Sequence, residues 1–258
     1  MPKPLRATVN CDLGEGYSLY KIADDEALMQ TIHLANVACG FHASDFSIMN
    51  ETVYLAKKYD VRVGAHPSLP DRQGFGRREM SISPDDLKSC FIYQVGALSG
   101  FLRQHGLPLN HIKPHGAVYG QIARSLPLAR AVVDVAKIFG SEGTALAIVG
   151  LVGSAQQVAA QEAGIPFLPE WFADLDYDDQ GKLLITQKHE SIPLVVVRER
   201  VLRLLKSREI TTVGGNYLPI GENVDEVTIC CHSDTPGAVQ ITQLVKALVD
   251  EHNAVGPA

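Results

Sequence analysis

The sequence predicts an α/β protein built on a closed β/α barrel. Stretches with the two-residue period of a strand alternate with stretches of helical period, which is the order of parallel β/α units. Within residues 111–115, the side chains of His111, Lys113 and His115 share one face, because side chains alternate along an extended chain. Helices cover both faces of an open parallel sheet, whereas a barrel lumen can accept three polar side chains. The length of 258 residues fits a single barrel domain over residues 1–258, since about 250 residues are typical of this fold.

Composition and charge disfavour several classes of function. Hydrophobic residues make up 46% and charged residues 20% of the chain, as in ordinary folded proteins. A net charge of −6 without a basic run argues against nucleic acid or an anionic membrane as a partner. No apolar run approaches the roughly 18 residues of a membrane span, and the start of the chain leads into no signal-peptide core, so a cytoplasmic location is expected. Five cysteines without CxxC spacing indicate neither a disulfide framework nor a zinc knuckle.

The first three predicted strands share one design, an apolar face opposite a polar face that ends in a titratable side chain. The strands cover residues 7–12, 34–41 and 61–66, and the residues at or just beyond their ends are Asp12, His42 and His66. Asn10 and Asn36 lie on the polar faces, and Glu15 follows the first strand between two glycines. Two helices separate these strands, the first from Asp24 or Asp25 to about His33 and the second capped by Ser44 or Asp45.

A long loop without a periodic pattern follows the third strand. It covers residues 67–83 and contains Gly74 and Gly76, whose backbone freedom suits a segment that closes over a ligand. Arg77 and Arg78 near its end are interpreted either as a solvated pair or as an anion-binding pair.

The rest of the chain continues the alternation of helices and strands. The predicted helices cover residues 83–106, a stretch from about 116, and residues 126–139, 154–163 and 195–206, and a closing helix begins at Thr235 and Pro236. The predicted strands cover residues 111–115, 145–149, 167–173, 182–186 and 226–232. The short 182–186 strand is interpreted as an excursion, which leaves about seven strands for the barrel.

Each barrel strand carries a distinctive polar residue near its carboxyl end. Because parallel strands in a barrel end at the same mouth, these side chains should converge on a single site. The expected catalytic residues are Asp12, His66, Lys113, His115 and His232. The expected substrate-binding residues are Asn10, Glu15, Asn36, His42, Asp45, Arg77, Arg78, Glu170, Asp174 and Asp234. The alternative is a scatter of caps and loop residues, and Asp45 and Asp234 fit helix N-caps equally well.

The residue types leave a metal site open and disfavour two other kinds of site. Histidine and aspartate are ordinary ligands of zinc, manganese or iron, so Asp12, His66 and His115 are candidates for a divalent-metal site. No short histidine spacing fixes such a site. The sequence lacks a GxSxG elbow, which disfavours a serine hydrolase, and a GxxxxGK[ST] loop, which disfavours ATP binding by that device.

Several blocks in order resemble the LamB/YcsF family, whose members are described as the A subunit of 5-oxoprolinase. The blocks are residues 10–16, 35–42, 64–67, 74–78, 93–98, 111–117 and 231–234. The resemblance implies a distorted, seven-stranded, TIM-barrel-like fold related to the superfamily of glycoside hydrolases and polysaccharide deacetylases. It also implies ATP-dependent opening of the lactam of 5-oxoproline to glutamate, together with partner subunits B and C.

The chain departs from the family pattern at a few positions that bear on the substrate. The family usually has glycine at Ser44 and Ser233, and arginine at Leu175 and near Gln187. Loss of those arginines would alter recognition of a carboxylate, so the particular lactam is left open.

A mechanism follows from the resemblance as a hypothesis. A partner would use ATP to phosphorylate the amide oxygen, and this chain would bind the lactam and direct water onto the activated carbon. Lys113 would stabilise developing negative charge, Asp12 or His115 would act as base, and His66 or His232 would protonate the leaving group. Substituting Lys113 is expected to abolish lactam opening with the fold intact. The rival hypotheses are a metal-dependent deacetylase or amidase that acts alone, and a non-catalytic barrel that binds substrate.

Overall fold

Strands and helices alternate through the computed structural model, which describes residues 4–140, 146–184, 188–221 and 224–255. The strands are β1 (Arg6–Leu13), β2 (Leu34–Ala38), β3 (Arg62–His66), β4 (Leu109–Ile112), β5 (Ala147–Gly150), β6 (Phe167–Phe172), β7 (Asp176–Tyr177), β8 (Leu183–Leu184), β9 (Glu209–Thr211), β10 (Tyr217–Pro219) and β11 (Glu226–Cys231). The helices are α1 (Asp25–Met29), α2 (Phe46–Lys58), α3 (Pro84–His105), α4 (Gly116–Ala123), α5 (Leu126–Phe139), α6 (Ala155–Ala163), α7 (Leu194–Ser207) and α8 (Ala238–Ala254).

Seven of these strands form a closed parallel barrel in the order β1-β11-β6-β5-β4-β3-β2, which confirms the predicted fold class. The barrel closes because β1 pairs with β11 on one side and with β2 on the other. Two short antiparallel hairpins, β7 with β8 and β9 with β10, lie outside the barrel. All seven barrel strands run in the same direction, so their carboxyl ends form one mouth.

The predicted alternation of faces is confirmed in the barrel wall. Ile112 is fully buried in the apolar layer between strands and helices, while His111 and Lys113 contact residues of other barrel strands across the lumen. In the same way Val9 and Cys11 belong to the apolar layer, whereas Asn10 and Asp12 point inward. Burial of each large aliphatic side chain in that layer is worth about 1.5–3 kcal/mol, so the register of every strand is strongly fixed.

Several element boundaries differ from those predicted. The strand predicted over residues 111–115 is Leu109–Ile112, and the chain beyond it stays beside β3, since Lys113 donates its N–H to the Ala65 carbonyl. The predicted second strand ends early, at Ala38.

Two helices are also shorter than expected. The helix predicted to reach His33 ends at Met29, and the closing helix begins at Ala238 because Gly237, in a left-handed conformation, precedes it. The predicted strand ends at Ala145 and Thr186, and the position near Gln187, lie outside the described residues.

Single residues account for further local features of the fold. Ser83 caps α3, and its hydroxyl accepts the N–H of Asp86. Ser44 adopts φ of 75°, a conformation that favours glycine, which gives a backbone reason for the glycine usual in the family at this place. The five cysteines are free thiols, and all except Cys90 are buried. No helix within the described residues is long and apolar enough to cross a membrane.

Candidate active site

Lys113 occupies the centre of the barrel mouth. Its ammonium is only 3% exposed and donates to Oδ1 of Asp12 at 2.9 Å, Oδ1 of Asn10 at 3.1 Å and Sγ of Cys230 at 3.0 Å. Oε1 of Glu170 lies 2.9 Å away on the far side. Burial by itself would lower the pKa of Lys113, but Asp12, Cys230 and Glu170 outweigh it and hold that pKa well above its usual range. The lysine therefore carries a fixed positive charge.

Asp12 is oriented by both of its oxygens. Oδ1 accepts hydrogen bonds from Lys113 and from Nδ2 of Asn36, the latter at 2.7 Å, while Oδ2 lies 3.2 Å from Nε2 of His66. Burial raises the pKa of this carboxyl, but His66 and Lys113 overcome the effect and hold the pKa well below its usual range. Asp12 is consequently an ionised acceptor.

Four buried side chains form a second group beside Asp12. The members, which we call the histidine cluster, are Glu15, His42, His66 and His115. Nε2 of His42 lies 3.0 Å and Nδ1 of His115 3.4 Å from Oε1 of Glu15, and the two rings stack with centroids 3.7 Å apart. Burial, together with the neighbouring histidines, lowers the pKa of His42 and of His115 well below the usual range. Burial raises the pKa of Glu15.

A histidine–aspartate pair faces these groups from β11 and the end of β6. Nδ1 of His232 donates to Oδ1 of Asp174 at 3.0 Å, and the backbone N–H of His232 donates to Oδ2 at 2.7 Å. Although burial lowers it, the pKa of His232 is raised overall by the Asp174 carboxylate. Thr235 also donates to Asp174, at 2.9 Å, so the pair is held in one orientation.

The loop after β3 lies over the histidine cluster. The backbone carbonyl of Phe75 is 2.8 Å from Nε2 of His115, and the carbonyl of Gly76 accepts the N–H of Ala117. Gly76 has φ of 66°, and a Cβ there would lie 2.7 Å from the His115 ring, so only glycine fits. The loop predicted to close over a ligand thus packs directly on the imidazoles.

The groups surround a narrow cleft with a cavity volume of about 40 Å³, room for about one water molecule. Its lining residues are Asp12, His66, Arg77, Lys113, Pro114, His115, Gly116, Tyr119, Phe172, Leu175, Leu183, His189 and His232. One wall is apolar, formed by Phe172, Leu175 and Leu183, and the opposite wall is titratable. An apolar wall opposite a titratable wall is typical of a site for a small molecule with one polar edge.

The structure brings most of the predicted site residues together and leaves two aside. Arg77 lines the cleft and donates to Oδ2 of Asp234 at 2.7 Å, but the guanidinium of Arg78 is 56% exposed and bonds to Asp71 within the loop. Asp45 caps α2, where it accepts the N–H groups of Ser47 and Ile48. The N-cap interpretation therefore describes Asp45, whereas Asp234 pairs with Arg77 and with His189, whose Nδ1 is 3.1 Å away.

Sequence reasoning missed four residues of the cleft region. They are Tyr119, Phe172, His189 and Cys230. Tyr119 donates to Oε2 of Glu170 at 2.8 Å from helix α4, so neither strand periodicity nor a strand end marks it. His189 reaches the cleft from an irregular segment, and only its residue type offers a signal. Cys230 falls on the inward face of the last predicted strand, and that placement is the available clue.

Among the residues that the structure describes, two sets of side chains are arranged so that they can hold a metal ion. One is the histidine cluster, and the other consists of Asp12, Cys230 and His232; in each, the ligand atoms lie within 4.8 Å of one another. Of the predicted trio Asp12, His66 and His115, the two histidines belong to the first set and Asp12 belongs to the second. Oδ2 of Asp12 faces His66, while its Oδ1 accepts a hydrogen bond from Lys113.

Fold and site together define a β/α-barrel protein with a titratable pocket at the carboxyl ends of its strands, the usual position of an active site in this architecture. The chain belongs to the LamB/YcsF family, whose model matches residues 7–256.

Named relatives match this chain over nearly their whole length. It is 43% identical to the lactam utilization protein lamB of Emericella nidulans, over 98% of this chain and 97% of that one. It is 40% identical to the A subunit of 5-oxoprolinase from Pyrococcus horikoshii, over 96% and 95%. The solved structure of the lactam utilization protein from Thermus thermophilus superposes with a TM-score of 0.85 at 33% identity, covering 96% of this chain and 98% of that one.

Proposed function

We propose that this chain is the lactam-binding and lactam-opening subunit of an ATP-dependent 5-oxoprolinase, acting with partner subunits B and C in the cytoplasm. Membership of the LamB/YcsF family and similarity to proteins named as the A subunit of 5-oxoprolinase support the reaction class, a hydrolase of a cyclic amide. The substrate is 5-oxoproline or a closely related lactam acid.

One observation in the site carries the proposal. An oxygen of Asp12 and a nitrogen of His232 lie within 4.8 Å across the cleft, and their pKa values are displaced in opposite directions. Two titratable groups whose environments push their pKa values apart are the arrangement expected of an acid and a base. A water or a substrate atom that contacts both groups can therefore exchange protons with them.

The remaining groups then take definite roles. Asp12, ionised, accepts a proton from the attacking water, and His232, held protonated by Asp174, gives its proton to the lactam nitrogen as the C–N bond breaks. Lys113 stabilises the negative charge of the phosphorylated oxygen at the reacting carbon. Of the two histidines expected to serve the leaving group, His232 is favoured because Nε2 of His66 faces His115 and Asp12.

The ATP-using step belongs to a partner in this proposal. An unstrained five-membered amide is a poor electrophile, and phosphorylation of its oxygen makes the attached carbon reactive towards water. The first water breaks the C–N bond and leaves an acyl phosphate, and a second water cleaves that acyl phosphate to glutamate and inorganic phosphate. The sequence contains no GxxxxGK[ST] loop that would bind the triphosphate. The activated lactam would therefore form on the partner and be hydrolysed in the cleft described above.

Glutamate release from 5-oxoproline, measured with and without ATP and candidate partner proteins, tests the proposal. We expect release only when chain, partners and ATP are all present, and a loss of at least tenfold for His232→Asn. His252→Gln is the matched control, since His252 donates to the Leu5 carbonyl near the start of β1, away from the mouth. ATP-independent release by the isolated chain, or full activity of His232→Asn, would contradict the proposed division of labour.

A further inference from the structure

Two histidines of the cluster face each other through nitrogens that carry lone pairs. Nδ1 of His66 is 2.6 Å from the Lys113 carbonyl, and Nε2 of His115 is 2.8 Å from the Phe75 carbonyl. A carbonyl only accepts hydrogen bonds, so both of these nitrogens carry the hydrogen. In a neutral imidazole the other nitrogen is then an acceptor, which leaves Nε2 of His66 and Nδ1 of His115 as two acceptors 3.0 Å apart. Such a contact is stable only with a positive charge beside it, either a bound cation or a proton on Nε2 of His66, which also lies 3.2 Å from Oδ2 of Asp12.

Further donor atoms point at the same place. Oε1 of Glu15 lies 3.4 Å from Nδ1 of His115 and 3.0 Å from Nε2 of His42. Ligand bonds of about 2.1 Å in a tetrahedral zinc site put neighbouring donor atoms about 3.4 Å apart, close to these separations. His42 is 1% exposed, and its other ring nitrogen has no partner among the described residues.

The surroundings of the two central histidines match those of metal-ligating histidines. A ligating imidazole usually donates its second N–H to a backbone carbonyl or carboxylate, which fixes the ring and the tautomer. His66 and His115 both do so, to carbonyls on different segments, β4's extension and the loop after β3. Three imidazoles and one carboxylate are ligands that divalent transition metals prefer.

We propose that His42, His66, His115 and Glu15 bind one divalent transition-metal ion at the barrel mouth. The site differs from the trio predicted from sequence, since Glu15 and His42 replace Asp12. His66 and His115 also line the cleft, so the ion would sit on its titratable wall, beside Asp12. The proposal rests on the histidine geometry and does not depend on the lactam reaction.

Metal content of the full chain is the first measurement. The protein is purified without a histidine tag, stripped with a chelator, dialysed against Zn²⁺, Mn²⁺ or Co²⁺ in turn, and analysed by elemental mass spectrometry. We expect close to one equivalent of at least one metal per chain, and a higher melting temperature with that metal than with chelator.

Variants then locate the ion. Glu15→Gln and His115→Gln should each weaken binding by more than the roughly 10- to 100-fold that loss of a supporting hydrogen bond costs. His232→Gln removes a member of the other metal-capable set and should keep the full equivalent. Circular dichroism confirms that each variant is folded before its metal is counted.

Two results would overturn the proposal. Folded wild-type chain that binds none of the three metals would mean that a shared proton bridges His66 and His115. Loss of the metal in His232→Gln, with binding retained in His115→Gln, would assign the ion to Asp12, Cys230 and His232 instead.

Discussion

At the scale of single residues, Lys113 illustrates how a group proposed for catalysis can also be a structural one. Its ammonium balances the buried carboxylates of Asp12 and Glu170, which are 5% and 0% exposed. Removing one member of a buried ion pair leaves an uncompensated charge, and that costs about 3–5 kcal/mol. The expectation that a Lys113 substitution leaves the fold intact therefore does not fit this geometry.

Lys113→Met should lower the free energy of unfolding by about 3–5 kcal/mol as well as abolish lactam opening. Urea denaturation at pH 7 measures the first effect, and glutamate release the second. The double variant Lys113→Met/Glu170→Gln, which removes one of the stranded charges, should recover part of the stability without recovering activity. Equal stability of wild type and Lys113→Met would show that the carboxylates do not need the ammonium.

Arg77 and Arg78 are adjacent in sequence and are predicted to act alike, but the fold places them in different surroundings. Arg77 lines the cleft beside Asp234, and Arg78 bonds to Asp71 on the outer side of the loop. Arg77→Ala should therefore raise the KM for 5-oxoproline about 10- to 100-fold, the value of a charge-assisted hydrogen bond of about 1.5–3 kcal/mol.

A neutral five-membered lactam serves as the control substrate for Arg77→Ala, because it lacks the carboxylate. Arg78→Ala should change the KM for 5-oxoproline much less than Arg77→Ala does. Comparable effects of Arg77→Ala on the acidic and the neutral lactam would show that Arg77 does not recognise the carboxylate.

Asp25, the first residue of α1, makes stability depend on pH. Burial raises its pKa to about 6, against 3.8 for an ordinary aspartate, while its Oδ2 accepts the N–H of Gly14. Between these two values the folded state holds a proton that the unfolded state releases, so stability falls as pH rises from about 4 to 6. Above pH 6 the penalty is complete and amounts to about 3 kcal/mol at most, at about 1.4 kcal/mol per pKa unit.

Asp25→Asn should therefore raise the melting temperature at pH 7 and flatten the decline between pH 4 and 6. The amide oxygen of asparagine can still accept the Gly14 N–H, which isolates the effect of charge. Thermal melts of wild type and variant at pH 4, 5, 6 and 7 measure it. A difference between the two proteins that stays constant across this range would show that Asp25 is not the titrating group.

At the scale of elements, β3 and β4 show how a small residue makes room for the site. Gly64 on β3 pairs with His111 on β4, and a Cβ at Gly64 would lie 2.1 Å from Nε2 of His111. The imidazole therefore crosses the lumen where a side chain would otherwise stand, and it reaches Oδ1 of Asn36 at 2.7 Å. Because Asn36 also donates to Asp12, the glycine indirectly orients the carboxylate.

Gly64→Ala should destabilise the chain by about 1–3 kcal/mol, the usual cost of overpacking a core, and should lower activity. Gly100→Ala is the matched control, since Gly100 lies in α3 with open space around a Cβ, and alanine there should stabilise the helix by about 0.5–1 kcal/mol. Melting temperatures of the two variants compare them directly. A Gly64→Ala chain as stable as Gly100→Ala would contradict the packing argument.

The strands and loops also show which parts of the site can be predicted from the sequence. The faces of the strands are readable because the apolar layer imposes a strict two-residue period, and this places Asn10, Asp12, His111 and Lys113 correctly. Contacts between segments distant in sequence carry no such period. The way the loops fold over the mouth decides which of these contacts form. It brings His66 against His115, places Arg77 but not Arg78 in the cleft, and brings His189 to the cleft.

At the scale of the whole molecule, closure of the barrel explains why the site is so dense in charge. Seven parallel strands deliver their carboxyl ends to one opening, so residues as far apart in sequence as Asp12 and His232 come within 4.8 Å. The resulting carboxylates and histidines stabilise one another in a region largely screened from water.

The carbonyl of Phe75 gives the loop over the mouth a role beyond covering the cleft. By accepting the Nε2 hydrogen of His115, this carbonyl decides which ring nitrogen is basic. If the loop moves away, the hydrogen bond from Nε2 of His115 is lost. The imidazole can then rotate, or carry its hydrogen on Nδ1 instead. Loop closure would then work as an interlock, since Nδ1 of His115 is held as an acceptor towards the histidine cluster only while the Phe75 carbonyl rests on the ring.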